Sequence, residues 1–208
     1  MMKLAEFDNS WYDPGRSRVT LASWFFIGSW LLSTRTLPFY ALKRAILRLF
    51  GARVGMGVVI KPGVKIKYPW MIELGDDSWV GEDVWFDNLA PITVADNCCI
   101  SQGAYLCTGN HDYRNPQFTL VVAPIRLERC VWVGAKAIIC PGVTIEKGGI
   151  ALAGSVITKN IGVLEIHGGN PGTFLRHRTI QEESREHLGE SPGIGVGRKE
   201  THAEAGFS

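Results

Sequence analysis

Large apolar residues recur at every sixth position from residue 54 to residue 157. Two insertions of two residues and one longer insertion divide the pattern into four runs. Fourteen of the fifteen positions hold a large apolar side chain, and the exception is Ala151. The positions are Val54, Ile60, Ile66, Leu74, Val80, Phe86, Val94, Ile100, Leu106, Leu127, Val133, Ile139, Ile145, Ala151 and Ile157. A strict period of six fits neither the 3.6-residue period of a helix nor the two-residue alternation of a half-buried strand.

The other places of each six-residue unit predict how the chain turns between strands. The residue after the apolar one is often small or polar, and the fifth place is mostly small or β-branched. Three units make one turn of 18 residues, and the pairs Ile72–Glu73 and Ile92–Thr93 lengthen two turns to 20 residues. This pattern predicts an all-β solenoid of short parallel strands, whose coils satisfy each other's backbone groups about 4.8 Å apart. About five coils would form a rod of roughly 24 Å.

Two helices are predicted before the repeat, over residues 21–32 and 39–50, with Pro38 near the start of the second helix and Gly51 as its stop. Residues 1–53 hold eight basic and three acidic side chains, whereas residues 54–208 hold fourteen and seventeen. We interpret residues 1–53 as a basic, amphipathic helical region with two alternative roles. It either rests on an anionic membrane surface or caps the open end of the solenoid, where unpaired strand edges would promote aggregation.

The rest of the chain divides into three predicted parts. Residues 54–162 form the solenoid domain with a loop excursion over residues 112–126. Residues 163–188 form a C-terminal segment with a short helix at residues 174–188, and the glycine-rich, polar residues 189–208 are predicted to be disordered.

Composition excludes several classes of protein. The 22 basic and 20 acidic side chains exclude a wholly disordered chain and give no overall basic field for nucleic acid. Five cysteines without a C-x-x-C pair argue against a disulfide framework and a structural zinc site, and they favour a reducing, cytoplasmic location. The apolar run over residues 19–32 is shorter than the roughly 20 residues of a spanning helix and does not resemble a signal peptide.

The long excursion is the strongest sign of chemistry, because a long loop that leaves a regular solenoid is usually functional. His111 lies at its root and is the only histidine in the repeat region. Histidine can take a proton from a hydroxyl group near neutral pH and return it later. A hydrogen-bonding surface residue is the structural alternative. Cys107 could be proposed as a thiol nucleophile, but its place in the six-residue unit favours a packed structural cysteine.

The repeat and several short motifs together resemble the left-handed β-helix acyltransferases, and most closely the colanic-acid-biosynthesis acetyltransferases. The motifs are Cys107–Tyr113 with its excursion, Val131–Gly134, Pro141–Val143, Gly154–Ser155, Thr158–Lys159 and Gly168–Pro171. The resemblance implies a homotrimer with acetyl-CoA in the groove between two subunits, no metal, and His111 as general base for direct transfer to a saccharide hydroxyl. It favours an intermediate of exopolysaccharide assembly as acceptor, including a lipid-linked one, and with it a peripheral location on the inner face of the plasma membrane.

Further site residues are expected from coil stacking and from the resemblance. If Phe86 lies under Leu106, Asp87 and Asn88 lie about 4.8 Å from the residues that follow Leu106. We expect Asn88 to help bind the acceptor and Asp87 or Asp112 to orient the imidazole, although a solvated pair of corner residues remains the alternative. Trp79, Trp85 and Tyr105 could stack on a sugar or become buried at a subunit contact. The expected acetyl-CoA contacts, which small solenoid residues could also mimic, are Trp132, Ala135, Ala153, Thr158, Lys159 and Arg176.

The sequence departs from the family pattern at one segment, and it leaves functions other than acetyl transfer to a saccharide hydroxyl open. The segment Ile161–His167 replaces the proline-rich stretch that usually follows the Thr-Lys pair, so the resemblance does not assign acetyl-CoA contacts beyond it. The same base and groove could acylate an amino sugar or an antibiotic. A zinc enzyme of the γ-carbonic-anhydrase type would need three convergent histidines, and only His111 lies in the repeat. A non-catalytic solenoid scaffold is disfavoured by the isolated histidine and its excursion.

Overall fold

Very short strands, most of two or three residues, make up the centre of the protein. The computed structural model describes residues 2–35 and 39–180. Its strands are β1 Arg53–Val54, β2 Val59–Ile60, β3 Lys65–Ile66, β4 Ile72–Leu74, β5 Trp79–Val80, β6 Trp85–Asp87, β7 Ile92–Val94, β8 Cys99–Ile100, β9 Tyr105–Cys107, β10 Gly109–His111, β11 Leu120–Val122, β12 Ile125–Leu127, β13 Trp132–Val133, β14 Ile138–Ile139, β15 Thr144–Ile145, β16 Ile150–Ala151, β17 Val156–Ile157, β18 Glu165–Gly169 and β19 Gly172–His177.

Successive coils place all of these strands except β10 and β11 in three sheets. The first sheet has the order β1-β4-β7-β12-β15, the second β2-β5-β8-β13-β16-β18-β19 and the third β3-β6-β9-β14-β17, with only β19 antiparallel in this set. All fifteen positions of the six-residue period point inward and are at most 8% exposed. The two lengthened turns keep their register, since Leu74 pairs with Val94. The predicted solenoid is therefore confirmed.

The sheets meet at corners, two of which matter for function. The second corner joins the second sheet to the third and includes residues 81–84, 101–104, 134–137 and 152–155. The third corner joins the third sheet to the first and includes residues 67–71, 88–91, 140–143 and 158–160. Between β9 and β12, the third corner expands into residues 108–124, which contain the antiparallel hairpin β10–β11. The excursion therefore begins before the predicted residue 112, because Gly109–His111 already belong to the hairpin.

The predicted helices before the repeat are also present. One helical segment runs through α1 Arg18–Ser23, a π-helical stretch Trp24–Gly28 and α2 Ser29–Ser33, and we call this segment the first helix. The helix α3 spans Tyr40–Leu49, and single 3-10 turns occur at Leu4–Glu6 and Pro69–Met71. The Ser17 side chain accepts a hydrogen bond from the Thr20 N–H and so caps α1. None of the helices in the described ranges combines the length and apolarity that crossing a bilayer requires.

These helices close the first coil with side-chain donors. The Arg48 guanidinium donates to the Val54 carbonyl at 2.6 and 2.9 Å, and Arg44 donates to the Val58 carbonyl at 2.8 Å. The Trp24 indole donates to the Ile66 carbonyl at 3.1 Å. In the next coil, the equivalent carbonyls of Leu74, Ser78 and Phe86 accept N–H groups from the first coil. The side chains therefore replace a missing coil, and the predicted helical cap is confirmed.

The C-terminal segment departs from the prediction. Residues 174–177, which were expected to begin a helix, belong to β19 instead. The reason is pairing: β19 runs antiparallel to β18 and covers the last edge of the second sheet, so its backbone groups find partners there. The remainder of the predicted helix at residues 181–188 and the predicted tail at residues 189–208 lie outside the described residues.

Candidate functional site

The β10–β11 hairpin holds His111 at the third corner. His111 is the last residue of β10 and pairs with Leu120, and the Asp112 N–H donates to the Thr119 carbonyl at 2.9 Å. At the hairpin root, the buried Thr108 hydroxyl donates to the Asp87 carbonyl at 3.0 Å. These bonds fix the direction in which the hairpin leaves the solenoid.

The His111 imidazole is held in one orientation by Phe118. Its Nδ1 lies 2.8 Å from the Phe118 carbonyl oxygen, and the two rings stack at a centroid distance of 4.2 Å. A carbonyl oxygen only accepts hydrogen bonds, so Nδ1 carries the proton in the neutral ring and Nε2 keeps its lone pair. Phe118 has a φ of 52°, the left-handed conformation that non-glycine residues rarely adopt. The geometry therefore leaves Nε2 as the hydrogen-bond acceptor of the neutral ring.

The amino-terminal segment adds a residue that the sequence gave no reason to select. Phe7 meets the His111 ring edge-on at a centroid distance of 5.6 Å. The Lys3 N–H donates to the Pro116 carbonyl at 2.8 Å, and the Tyr12 hydroxyl donates to the Leu89 carbonyl at 2.7 Å. The segment therefore runs along the third corner and touches the imidazole from a second side. No periodicity or motif marks Phe7, since it lies more than one hundred residues before His111.

The carboxylates expected to orient the imidazole have other partners. The Asp112 Oδ1 accepts from the backbone N–H and the Nε of Arg114 at 3.0 and 3.2 Å, and these bonds hold its pKa below the usual value. The Asp87 carboxylate accepts from the Lys67 Nζ at 3.0 Å and from the Tyr105 hydroxyl at 2.9 Å. The structure thus gives the orienting role to the Phe118 carbonyl instead. A backbone carbonyl can do this as well as a carboxylate, which is why side-chain chemistry alone did not reveal it.

The residues expected to bind the acceptor separate into buried and exposed groups. Asn88 is completely buried, its Oδ1 accepts from the Lys67 and Tyr68 N–H groups, and its Nδ2 donates to the Tyr68 carbonyl. It therefore holds the third corner together and cannot touch an acceptor. Trp85 is 43% exposed on the third sheet and packs on Tyr105 at a centroid distance of 4.8 Å. Burial raises the pKa of Tyr105, which keeps its hydroxyl available as a donor to Asp87.

The residues expected to bind acetyl-CoA lie in two separate groups, one on the second sheet and second corner and the other on the third corner. Trp132 is exposed on the second sheet, in the strand row that ends at the exposed Arg176, and its indole donates to Ser101. Ala135 and Ala153 lie at the second corner, whereas Thr158 and Lys159 lie at the third corner with His111. The third sheet separates these two groups. A single chain therefore does not bring the expected contacts together.

The Cys107 thiol contributes to packing at the root of the hairpin. The Cys107 Sγ donates to the Gly109 carbonyl at 3.0 Å, a packing contact within the root of the hairpin. Among residues 2–35 and 39–180, no three histidine, cysteine, aspartate or glutamate side chains form a group that could hold a metal ion.

No protein-family model matches the chain. WcaF of Escherichia coli K12, named provisionally as a colanic acid biosynthesis acetyltransferase, is 36% identical over 168 residues, which are 81% of this chain and 92% of WcaF. A maltose O-acetyltransferase from Clostridium difficile 630 has a TM-score of 0.71 at 22% identity, over 79% of this chain and 90% of that one. The hexapeptide-repeat acetyltransferase VCA0836 of Vibrio cholerae, solved with acetyl coenzyme A, has a TM-score of 0.71 at 23% identity, over 81% and 93%.

Proposed function

Because this chain belongs to the hexapeptide-repeat acetyltransferases of the left-handed β-helix fold, together with its relative WcaF, we propose that it transfers an acetyl group from acetyl-CoA to a hydroxyl group of a saccharide. The observation that carries the proposal is the His111 imidazole, whose Nδ1 is held by the Phe118 carbonyl. This arrangement leaves Nε2 to act on an acceptor hydroxyl. The name of WcaF supports a saccharide of polysaccharide biosynthesis, including a carrier-linked one, as the acceptor class.

In the proposed mechanism, His111 acts first as base and then as acid. Nε2 removes the hydroxyl proton while the oxygen attacks the thioester carbon, because a neutral sugar hydroxyl is a poor nucleophile. The Nδ1–H bond to Phe118 persists in the imidazolium that forms. The tetrahedral intermediate then collapses, the C–S bond breaks, and the imidazolium returns the proton to the sulfur of CoA. The mechanism also needs a hydrogen-bond donor for the oxyanion of the tetrahedral intermediate. Transfer is direct, so no covalent acyl-enzyme forms.

Acetyl-CoA binding is proposed to require a second copy of the chain. Ala135, Ala153 and Trp132 lie on or beside the second corner, while Thr158 and Lys159 lie on the third corner with His111. Packing the second corner of one subunit against the third corner of its neighbour would unite both groups. Small side chains would allow close approach of the pantetheine arm, and Lys159 and Arg176 would bind phosphates. The proposed active enzyme is therefore a homotrimer with a site at each of its subunit contacts.

The acceptor is proposed to approach along the third sheet. Asp87 lies in the strand pair β6–β9, which leads into the His111 hairpin, and its carboxylate is already bound to Lys67 and Tyr105. Trp85 and Tyr105 offer adjacent aromatic faces on the same sheet. Aromatic faces stack on sugar rings, and a carboxylate accepts hydrogen bonds from sugar hydroxyls. Asp87 and Trp85 are therefore the proposed acceptor contacts.

The test is release of the CoA thiol from acetyl-CoA across a panel of nucleotide-linked and lipid-linked sugars, with amino sugars included. With an accepted sugar, we expect His111→Ala to react at least about a hundredfold slower, within the range that general bases supply. Asp112→Asn is the matched control and should stay within about threefold of the unsubstituted protein, because its carboxylate is engaged by Arg114. Light scattering should show the same oligomer for all three proteins. Unchanged turnover of His111→Ala would overturn the mechanism, and exclusive use of amino sugars would replace the hydroxyl acceptor with an amine.

A further inference from the structure

The first helix is apolar on both of its faces. Its inner face buries Trp24, Gly28 and Leu32 against the solenoid and α3. Its outer side leaves five large apolar side chains between 57% and 76% exposed, which we call the outer apolar face: Val19, Phe25, Phe26, Ile27 and Trp30. A helix that lies on a water-exposed surface normally has a polar outer face. Several large apolar side chains exposed on one helix, here with two phenylalanines and a tryptophan, are typical of an interaction site.

The segment that carries this face has charged side chains of one sign. Residues 14–53 contain seven arginine or lysine residues and no aspartate or glutamate. Arg44 and Arg48 donate to carbonyls of the first coil, and Arg35 pairs with Asp83 at 2.9 Å. Arg16 and Arg18, at the start of the first helix, are exposed and form no ion pair with another residue in the described part of the chain. They provide positive charge at one end of the outer apolar face.

A cavity continues the apolar surface toward the third sheet. It has a volume of about 540 Å³ and lies between the first helix and the first two coils. Phe25 and Phe26 belong both to its wall and to the outer apolar face, and Trp85, Lys65 and Asp87 line its far side. An apolar group that covers the outer apolar face would therefore have a continuous path toward the residues proposed to bind the acceptor.

We propose that the outer apolar face docks on the surface of an anionic lipid bilayer. Phe26, Ile27 and Trp30 would enter the boundary between headgroups and acyl chains, and Arg16 and Arg18 would meet anionic headgroups. Aromatic residues flanked by cations are typical of helices that lie in this interface. A second copy of the chain that met this face with its own would bring Arg16 and Arg18 of both copies to one contact, which would oppose it. Docking is independent of the proposed acetyl transfer, because it uses neither His111 nor acetyl-CoA.

The test is sedimentation of the full-length protein with vesicles, without acetyl-CoA. Vesicles of phosphatidylcholine with phosphatidylglycerol should bind the protein, vesicles of phosphatidylcholine alone should bind it less, and added salt should weaken the binding. The double substitution Phe26→Ser with Trp30→Ser should reduce binding to the anionic vesicles at least tenfold. Arg16→Gln with Arg18→Gln should reduce the preference for anionic vesicles.

A matched pair of substitutions controls for general loss of apolar surface. Val163 and Leu175 are both 51% exposed at the opposite end of the solenoid, and Val163→Ser with Leu175→Ser should bind vesicles like the unsubstituted protein. Thermal unfolding should confirm that every variant is folded. Absence of vesicle binding by the unsubstituted protein would overturn the proposal. Equal binding by Phe26→Ser with Trp30→Ser and by Val163→Ser with Leu175→Ser would overturn it as well. A smaller oligomer for Phe26→Ser with Trp30→Ser in light scattering would also overturn it, because the face would then be a subunit contact.

Discussion

The two ends of the coil stack are closed by opposite kinds of side chain. At the first coil, the carbonyl groups of Val54, Val58 and Ile66 accept hydrogen bonds from Arg48, Arg44 and Trp24, where a preceding coil would supply N–H groups. At the last coil, side-chain oxygens accept from the backbone, since the Thr144 N–H donates to the Asn160 Oδ1 and the Gly162 N–H donates to the Glu165 carboxylate. In the coil before, the residue equivalent to Thr144 donates to a backbone carbonyl instead.

This difference explains part of the uneven charge of the chain. Part of the basic charge of residues 1–53 belongs to the hydrogen bonding of the first coil. Lys43 shows this most clearly, because it is 1% exposed and its Nζ donates to the Lys61 carbonyl at 3.2 Å, while burial lowers its pKa. The basic excess alone is therefore weak evidence for an anionic partner. The outer apolar face and the exposed Arg16 and Arg18 support such a partner more directly.

The largest expected effect comes from removing Trp24, the aromatic side chain that closes the first coil. Trp24 is 3% exposed, packs edge-on against Phe50 at 5.1 Å and donates to the Ile66 carbonyl. Trp24→Ala should lower the free energy of unfolding by about 3 to 5 kcal/mol, because it opens a cavity and leaves a carbonyl without its donor. Urea-induced unfolding measures this loss. Trp30→Ala, at a 65% exposed position of the same helix, should cost less than about 1 kcal/mol. Equal losses for both variants would show that Trp24 does not close the first coil.

A smaller effect is expected from the guanidinium donors. Arg48→Met keeps much of the apolar stem but removes the bonds to the Val54 and Gly55 carbonyls, and should cost about 1 to 2 kcal/mol. Arg53 is the control, since its side chain is 81% exposed and lies 3.5 Å from Glu73. Arg53→Met should change the free energy of unfolding by less than about 0.5 kcal/mol. Equal changes in the free energy of unfolding for Arg48→Met and Arg53→Met would show that the Arg48 guanidinium does not stabilise the first coil.

Much of the fold follows from the period of six. Each of the fifteen apolar positions is buried because one residue per strand must point into a narrow prism. Small fifth-place residues such as Ser78 and Ser155 are also buried, and their hydroxyls donate to backbone carbonyls. The helical cap was predictable for a related reason, because an open coil leaves unpaired backbone groups. Residues 174–177 were misassigned, because their local pattern gave no sign of the pairing with β18.

The candidate site was predictable only where side-chain chemistry identifies a residue. His111 was found because it is the only histidine in the repeat and lies at the root of an excursion. The Phe118 carbonyl and the Phe7 ring were not found, because any residue has a carbonyl group and Phe7 reaches the hairpin from a remote part of the chain. Asn88 illustrates the opposite error. Its amide looked suitable for an acceptor, but stacking of the coils places it inside the corner, where it binds the backbone of the preceding coil.

The smallest expected effect concerns the side-chain oxygens that accept backbone hydrogen bonds at the last coil. It is seen in how stability depends on pH. The Glu165 carboxylate accepts from the His167 Nε2 at 2.9 Å and from the Gly162 N–H at 2.8 Å, and these bonds lower its pKa. Because the pKa in the folded protein lies below the value in the unfolded chain, the ionised carboxylate stabilises the fold above the ordinary glutamate pKa of about 4.3. This stabilisation is lost as the pH falls through the lowered pKa. The melting temperature should therefore fall less steeply below pH 5 for Glu165→Gln than for the unsubstituted protein. Glu146→Gln, at an exposed position near the same end, should follow the unsubstituted protein. If the melting temperatures of the unsubstituted protein and both variants fall in parallel, the Glu165 carboxylate does not stabilise the last coil. The β18–β19 pairing would then close this end without the help of side-chain oxygens.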